Sequence, residues 1–111
     1  MHDQLELMNS QQIELTRQEI DQLSGAMVLE FGAVWCQYCQ AAQSIISPEL
    51  AKYPHVRHIK IEDGKGRRLG RTFAVKLWPT LILMKDGVEL RRLVRHFSPE
   101  EIRAALDLIS G

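Results

Sequence analysis

The sequence predicts an α/β fold in which a mixed β-sheet is flanked by helices on both faces. Three observations carry this expectation. Apolar runs at residues 27–31, 56–61 and 80–84 alternate with segments of helical spacing. Lys85-Asp86-Gly87 is a hairpin signal between two strand-like runs. Thr16-Arg17-Gln18-Glu19 and Ser98-Pro99-Glu100-Glu101 are capping-box sequences that start helices near the two ends.

Taken in order, Ile13-Glu14-Leu15 alternates and predicts a short first strand. The Thr16 capping box opens a helix that should run to about Leu23, where Ser24-Gly25 ends it. Residues 27–31 are apolar except for Glu30, which predicts a buried central strand. A helix is expected from Cys36, with Ala41, Ala42, Ile45, Ile46 and Leu50 on one face and Pro48 kinking or breaking it. Residues 56–61 should form the third strand. A loop opened by Gly64-Lys65-Gly66 leads to a short helix at 67–73. The hairpin then pairs residues 80–84 with 88–94, and a last helix runs from Pro99 to about Ile109. Alternation implies parallel strands with right-handed crossovers, to which the hairpin adds an antiparallel edge. The polar residues 1–10 are expected to be loosely ordered, and 11–111 to form one domain.

At 111 residues the chain is long enough to bury a core. No stretch approaches the ~18 apolar residues that span a bilayer, so no membrane segment is expected. The acidic start lacks the basic and apolar regions of a secretory signal, and a cytoplasmic setting is the simplest expectation. The net charge of zero hides an asymmetry. Residues 1–54 carry two basic and seven acidic groups, and residues 55–111 carry twelve basic and seven acidic. Solvated faces account for such a pattern most simply; a basic surface that selects acidic partners is the sharper reading. Nucleic acid is not expected, because no aromatics interleave with the basic residues and no nucleic-acid motif is present.

Two cysteines are too few for a disulfide framework. Trp35-Cys36-Gln37-Tyr38-Cys39, directly after a strand-like run, fits redox chemistry instead. Disulfide exchange needs a thiolate, and a free cysteine with a pKa of about 8.5 is only slightly ionised at neutral pH. A sulfur at a helix N-terminus faces unpaired N–H groups, and the dipole contributes on the order of 1 kcal/mol toward the anion. Zinc is the competing reading, because His55-x2-His58 follows the cysteine pair by fifteen residues. That histidine pair is one residue too tight for the usual site. The intervening helix would also hold His55 roughly 20 Å from the cysteines. No metal is therefore expected, and His55 and His58 read as ordinary residues beside a strand. Glu30 is the other unusual residue, since a carboxylate inside a buried strand is costly unless neutralised or paired.

The segment Phe31-Gly32-Ala33-Val34-Trp35-Cys36-Gln37-Tyr38-Cys39 resembles the active-site segment of the thioredoxin family. Phe73-Ala74-Val75-Lys76-Leu77-Trp78-Pro79-Thr80 resembles the family's segment that carries a cis-proline. The resemblance spans roughly residues 13–110. It implies a thioredoxin fold and a thiol–disulfide oxidoreductase, with a reductase of protein disulfides as the leading form and no cofactor. By position Cys36 resembles the attacking thiol and Cys39 the resolving thiol, which should be the less exposed of the two. Trp35 resembles the partly exposed indole beside the site, and Pro79 the cis-proline facing the disulfide. The backbone of Trp78 is then expected to be free to pair with an extended substrate. Glu30 resembles a buried acid behind the resolving cysteine, and Lys60 a lysine near that acid. A Glu30–Lys60 interaction is therefore expected, with Glu30 helping to remove the Cys39 proton. The implied partners are protein disulfides and an electron donor such as a thioredoxin reductase or another dithiol, acting on a monomer.

Several residues depart from the family pattern. Gln37-Tyr38 stands where typical thioredoxins have Gly-Pro, and Tyr38 is similar to the tyrosine of glutaredoxin sites. Gly32 stands where many have tryptophan. Trp78 replaces a smaller residue, and Arg95 and His96 occupy a loop of small residues. A cation at Arg95 would favour a thiolate and could recruit acidic partners. Two alternatives remain beside the reductase. One is a binding module that uses Trp35, Trp78 and Arg95 with little redox turnover. The other is an exported-compartment oxidoreductase whose signal was removed.

Overall fold

The computed structural model describes residues 14–110. Its elements run α1 (Arg17–Asp21), β1 (Ala26–Gly32), α2 (Gln37–Leu50), β2 (Arg57–Glu62), α3 (Leu69–Thr72), β3 (Thr80–Lys85), β4 (Val88–Val94) and α4 (Pro99–Ser110). The expected loose segment 1–10 lies outside the described residues, as does Ile13. Glu14 and Leu15 are not in a strand. The Glu14 carboxylate instead accepts from the Arg68 backbone N–H at 3.1 Å, and Leu15 packs into the core. Alternation over three residues recorded one half-buried leucine and no ladder.

Both capping boxes form. The Glu19 N–H donates to the Thr16 hydroxyl at 3.1 Å and the Thr16 N–H to the Glu19 carboxylate at 2.8 Å. Ser98 and Glu101 repeat the exchange at the same two distances. The first helix ends at Asp21, short of Leu23. Pro48 does not break α2, which continues to Leu50. The helix is held on both sides of the proline by Ile46 in the core and by Glu49, whose carboxylate takes two hydrogen bonds from Arg103 of α4 at 3.1 and 3.0 Å. Those contacts outweigh the one backbone bond that proline removes. The hairpin turn places Asp86 and Gly87 at φ 51° and 80°, the positive angles that a two-residue type I′ turn requires.

The sheet order is β2-β1-β3-β4. Strands β1 and β2 are parallel, while β3 is antiparallel to both β1 and β4. The expectation of parallel strands thus holds for one pair only. The 63–79 connection does not travel the length of the sheet. It returns to the end where β1 finishes, so Thr80 at the start of β3 pairs with Phe31 at the end of β1. Val94 at the end of β4 pairs with Thr80 and lies at the same end. Three separate segments, 33–36, 76–79 and 95–97, are brought together by this topology.

Alternate residues of the central strands feed two apolar layers. Val28, Leu81 and Leu83 pack with α2 and α4. Met27, Leu29, Phe31, Ile82 and Met84 pack with Ile20 of α1 and with Leu69 and Phe73 at α3. Helices therefore cover both faces, as the sequence implied. Glu30 follows Val28 by two residues, so it points to the α2 side and lies beneath the start of that helix.

Candidate active site

Cys36 is the N-cap of α2, with φ −78° and ψ 118°. Its Sγ accepts the Cys39 backbone N–H at 3.2 Å, so one of the unpaired donors of the helix start is aimed at the sulfur. The Cys36 N–H donates to the Ala33 carbonyl at 3.1 Å, which closes the strand–helix turn. Both sulfurs are free thiols. Cys36 is 5% exposed and Cys39 8%, so exposure does not separate them as expected. Position does. Cys36 lines an open cleft with Trp35, Tyr38, Lys76, Trp78 and Arg95, and Cys39 does not reach it. Burial, followed by hydrogen bonding to the Cys36 sulfur, pushes the Cys39 thiol up to about 11. Cys39 is therefore protonated at neutral pH.

Cys39 occupies space that a side chain at position 32 would fill. A Cβ added to Gly32 would lie 2.6 Å from the Cys39 Sγ. Gly32→Ala is therefore expected to displace that sulfur and slow mixed-disulfide resolution by about tenfold, because small misplacements of reacting atoms are costly. Rapid-mixing measurement of product release checks this, and an unchanged resolution rate would count against the packing argument.

The peptide bond between Trp78 and Pro79 is cis, and Pro79 is buried directly behind Trp78, which lines the cleft. Trp78 packs against Ala33, Cys36 and Cys39. Its ring meets Trp35 edge-on, with centroids 5.4 Å apart. Its indole N–H donates to the Asp63 carboxylate at 2.9 Å. Trp35 is 69% exposed and forms the outer rim. Arg95 changes the expected picture of a free Trp78 backbone. Its Nε donates to the Trp78 carbonyl at 2.7 Å, and its backbone N–H donates to the Pro79 carbonyl at 3.0 Å. The guanidinium lies 4.1 Å over the Tyr38 ring, and His96 meets the same ring edge-on at 5.5 Å. The bulk introduced at Tyr38, Trp78 and Arg95 thus interlocks across the cleft.

Glu30 is 4% exposed, and its direct partners differ from the expected one. His58 Nε2 lies 2.7 Å from one carboxylate oxygen. The Gln43 side-chain amide donates to the other at 2.5 Å and to the Cys39 carbonyl at 3.4 Å. Lys60 is paired with Glu30 in the parallel register and acts on it through its charge, without an ion-pair contact. Burial pushes the Glu30 carboxyl up. Hydrogen bonds from His58 and Gln43, with the charges of Lys60 and His58, outweigh it and hold the group below its ordinary value.

His58, Gln43 and Asp63 are the members of this site that the sequence did not disclose. Gln43 was within reach of sequence reasoning, since it stands four residues after Cys39 and so shares its helix face. His58 lies two residues before Lys60 and therefore on the same strand face; the register pairs Glu30 with Lys60, and only the reach of the side chains brings His58, and not Lys60, into contact with the carboxylate.

Comparison with known proteins bears on the same residues. The thioredoxin family model matches residues 8–107. A thioredoxin of Chlamydia trachomatis is 35% identical over 71 residues, 64% of this chain and 70% of that protein. Thioredoxin Asp f 28 of Aspergillus fumigatus is 31% identical over 79% of this chain and 82% of its own length. The structure of reduced thioredoxin 2 from Pseudomonas aeruginosa superposes with a TM-score of 0.78. It is 46% identical, covering 87% of this chain and 90% of that one. These likenesses favour exchange chemistry over a binding platform without turnover. With Cys36 capping the helix that carries Cys39, and with a cis-proline after the cleft residue Trp78, the chain belongs to the thioredoxin family of thiol–disulfide oxidoreductases.

Proposed function

We propose that the protein reduces disulfides of other proteins, with Cys36 as the attacking thiolate and Cys39 as the resolving thiol. The observation that carries this is the position of the Cys36 sulfur, which caps α2 and lines the open cleft while Cys39 stands behind it. The Cys36 thiolate attacks one substrate sulfur. The substrate S–S bond breaks, one substrate thiolate leaves, and a mixed disulfide forms. Cys39 then gives up its proton, with Glu30 as the nearby acceptor, and attacks the Cys36 sulfur. The second substrate thiolate departs and a Cys36–Cys39 disulfide remains. Two electrons have moved to the substrate, and a dithiol donor, a thioredoxin reductase being the expected one, restores the pair. Trp35 and Trp78 form the substrate-facing walls in this reading, with Pro79 setting the cis turn behind them, and Lys60 supports the charge on Glu30.

A cytoplasmic setting suits this direction of flow, because a reducing compartment keeps such a dithiol reduced. The test is insulin reduction with dithiothreitol as donor. Wild type is expected to accelerate it and Cys36→Ser to give only the rate of dithiothreitol alone. Equal rates for the two proteins would end the reading. The midpoint potential of the Cys36–Cys39 pair fixes the direction. A value near about −270 mV belongs to reducing members of the fold and one near about −120 mV to oxidants.

A further inference from the structure

We infer that Arg95, supported by Lys76, makes the cleft selective for disulfides flanked by carboxylate side chains. The inference rests on the reductase reading and adds the substrate class. Its starting point is the Trp78 carbonyl, an acceptor at the edge of the cleft that an extended peptide can use to add itself as a strand. In this protein that acceptor is taken by Arg95 Nε at 2.7 Å. The guanidinium is held in place from the other side by the Tyr38 ring at 4.1 Å. A peptide that needs the Trp78 carbonyl must first move this group.

The guanidinium has donors to spare. Nε uses one of five N–H bonds, and among the described residues the terminal nitrogens of Arg95 have no hydrogen-bond partner. Lys76 lines the same cleft, and among the described residues no carboxylate does. A neutral peptide therefore displaces the Arg95–carbonyl bond and has only uncharged acceptors to offer the two cations. A peptide carrying Asp or Glu beside its cysteine supplies an acceptor for the displaced guanidinium. The bond given up joins the guanidinium to a neutral carbonyl, whereas a carboxylate brings an opposite charge and a second oxygen for a bidentate pair. Discrimination arises because the occupied carbonyl disfavours uncharged substrates while the spare donors favour acidic ones.

The experiment uses two cyclic disulfide peptides that differ only in Glu or Gln next to one cysteine, with kcat/KM measured for the full chain. Wild type is expected to favour the Glu peptide by about tenfold at low salt, with the ratio falling toward one as salt screens the cleft. Arg95→Gln should bring the ratio within about twofold, Lys76→Gln should lower it partly, and Arg95→Lys should retain part of it. The Lys76 and Arg95→Lys variants keep the comparison informative if Arg95→Gln fails to fold. Equal use of both peptides by wild type, a ratio insensitive to salt, or a ratio that survives Arg95→Gln each overturns the inference. Insulin reduction in the same preparation separates the two failures. Insulin turnover with no peptide preference sinks the selectivity alone, and no turnover of any disulfide sinks the reductase reading with it.

Discussion

Cys39→Ser is expected to react once with a disulfide protein, hold it as a mixed disulfide, and lose multiple turnover by roughly three orders of magnitude. The first step needs only what the substitution spares. Cys36 keeps its place at the cleft, and the N–H that caps its sulfur belongs to the backbone of residue 39. The second step needs a sulfur nucleophile behind Cys36, and none remains. Intact-mass analysis after mixing with insulin should show one covalent adduct per chain, released by dithiothreitol. Cys36→Ser should show none, because Cys39 does not reach the cleft. An adduct on Cys36→Ser as abundant as on Cys39→Ser would reverse the assignment of the two thiols.

The contrast between those variants follows from residues that the sequence made readable and from one fact that it did not. Cys36 and Cys39 are neighbours within a single turn, so their relation is local and could be read from spacing. Pro79 became readable only through its family resemblance, since nothing local says that the β2–β3 connection returns to the end of β1. The capping boxes at Thr16 and Ser98 are local and formed as expected. Of the two outcomes expected at Pro48, a kink or a break, the break does not occur, because the local rule is opposed by tertiary contacts of Ile46 and Glu49. The resemblance points to Lys60 as the partner of Glu30, and His58 reads as an ordinary residue beside the strand; both share a face, and direct contact depends on side-chain reach across two paired strands. Arg95 was legible as a cation near the site, but its bond to the Trp78 carbonyl joins residues 17 apart in sequence through the hairpin. What was missed is what depends on register and on side chains meeting between elements.

Glu30→Gln is expected to slow resolution of the mixed disulfide by about 10–100-fold near neutral pH, the usual range for loss of a positioned proton acceptor. The Cys39 thiol, pushed up to about 11 in the dithiol state, must lose its proton before it can attack. The Glu30 carboxylate is ionised throughout the neutral range because its partners hold it below the ordinary value despite burial. An acid held that low accepts a proton only transiently, and the proton needs a way out. His58 supplies one, being 2.7 Å from the carboxylate with a side chain 29% exposed. His58→Gln should therefore alter the pH profile of the resolving step while leaving the first attack unchanged. The same depressed acid has a stability consequence of fixed sign. Its folded state binds fewer protons than the unfolded chain, so its contribution is fully present above the ordinary carboxylate value of 4.5 and is lost as pH falls through the folded value. Glu30→Gln gives up charge-assisted bonds to His58 and Gln43 in a buried place, which costs about 1–3 kcal/mol at pH 7. Thermal unfolding from pH 7 down to pH 3 should show wild type more stable at neutral pH and the gap closing below pH 4.5. A gap that widens on acidification, or a variant more stable than wild type at pH 7, would mean that burial dominates at Glu30 and that the acid is neutral when Cys39 needs it.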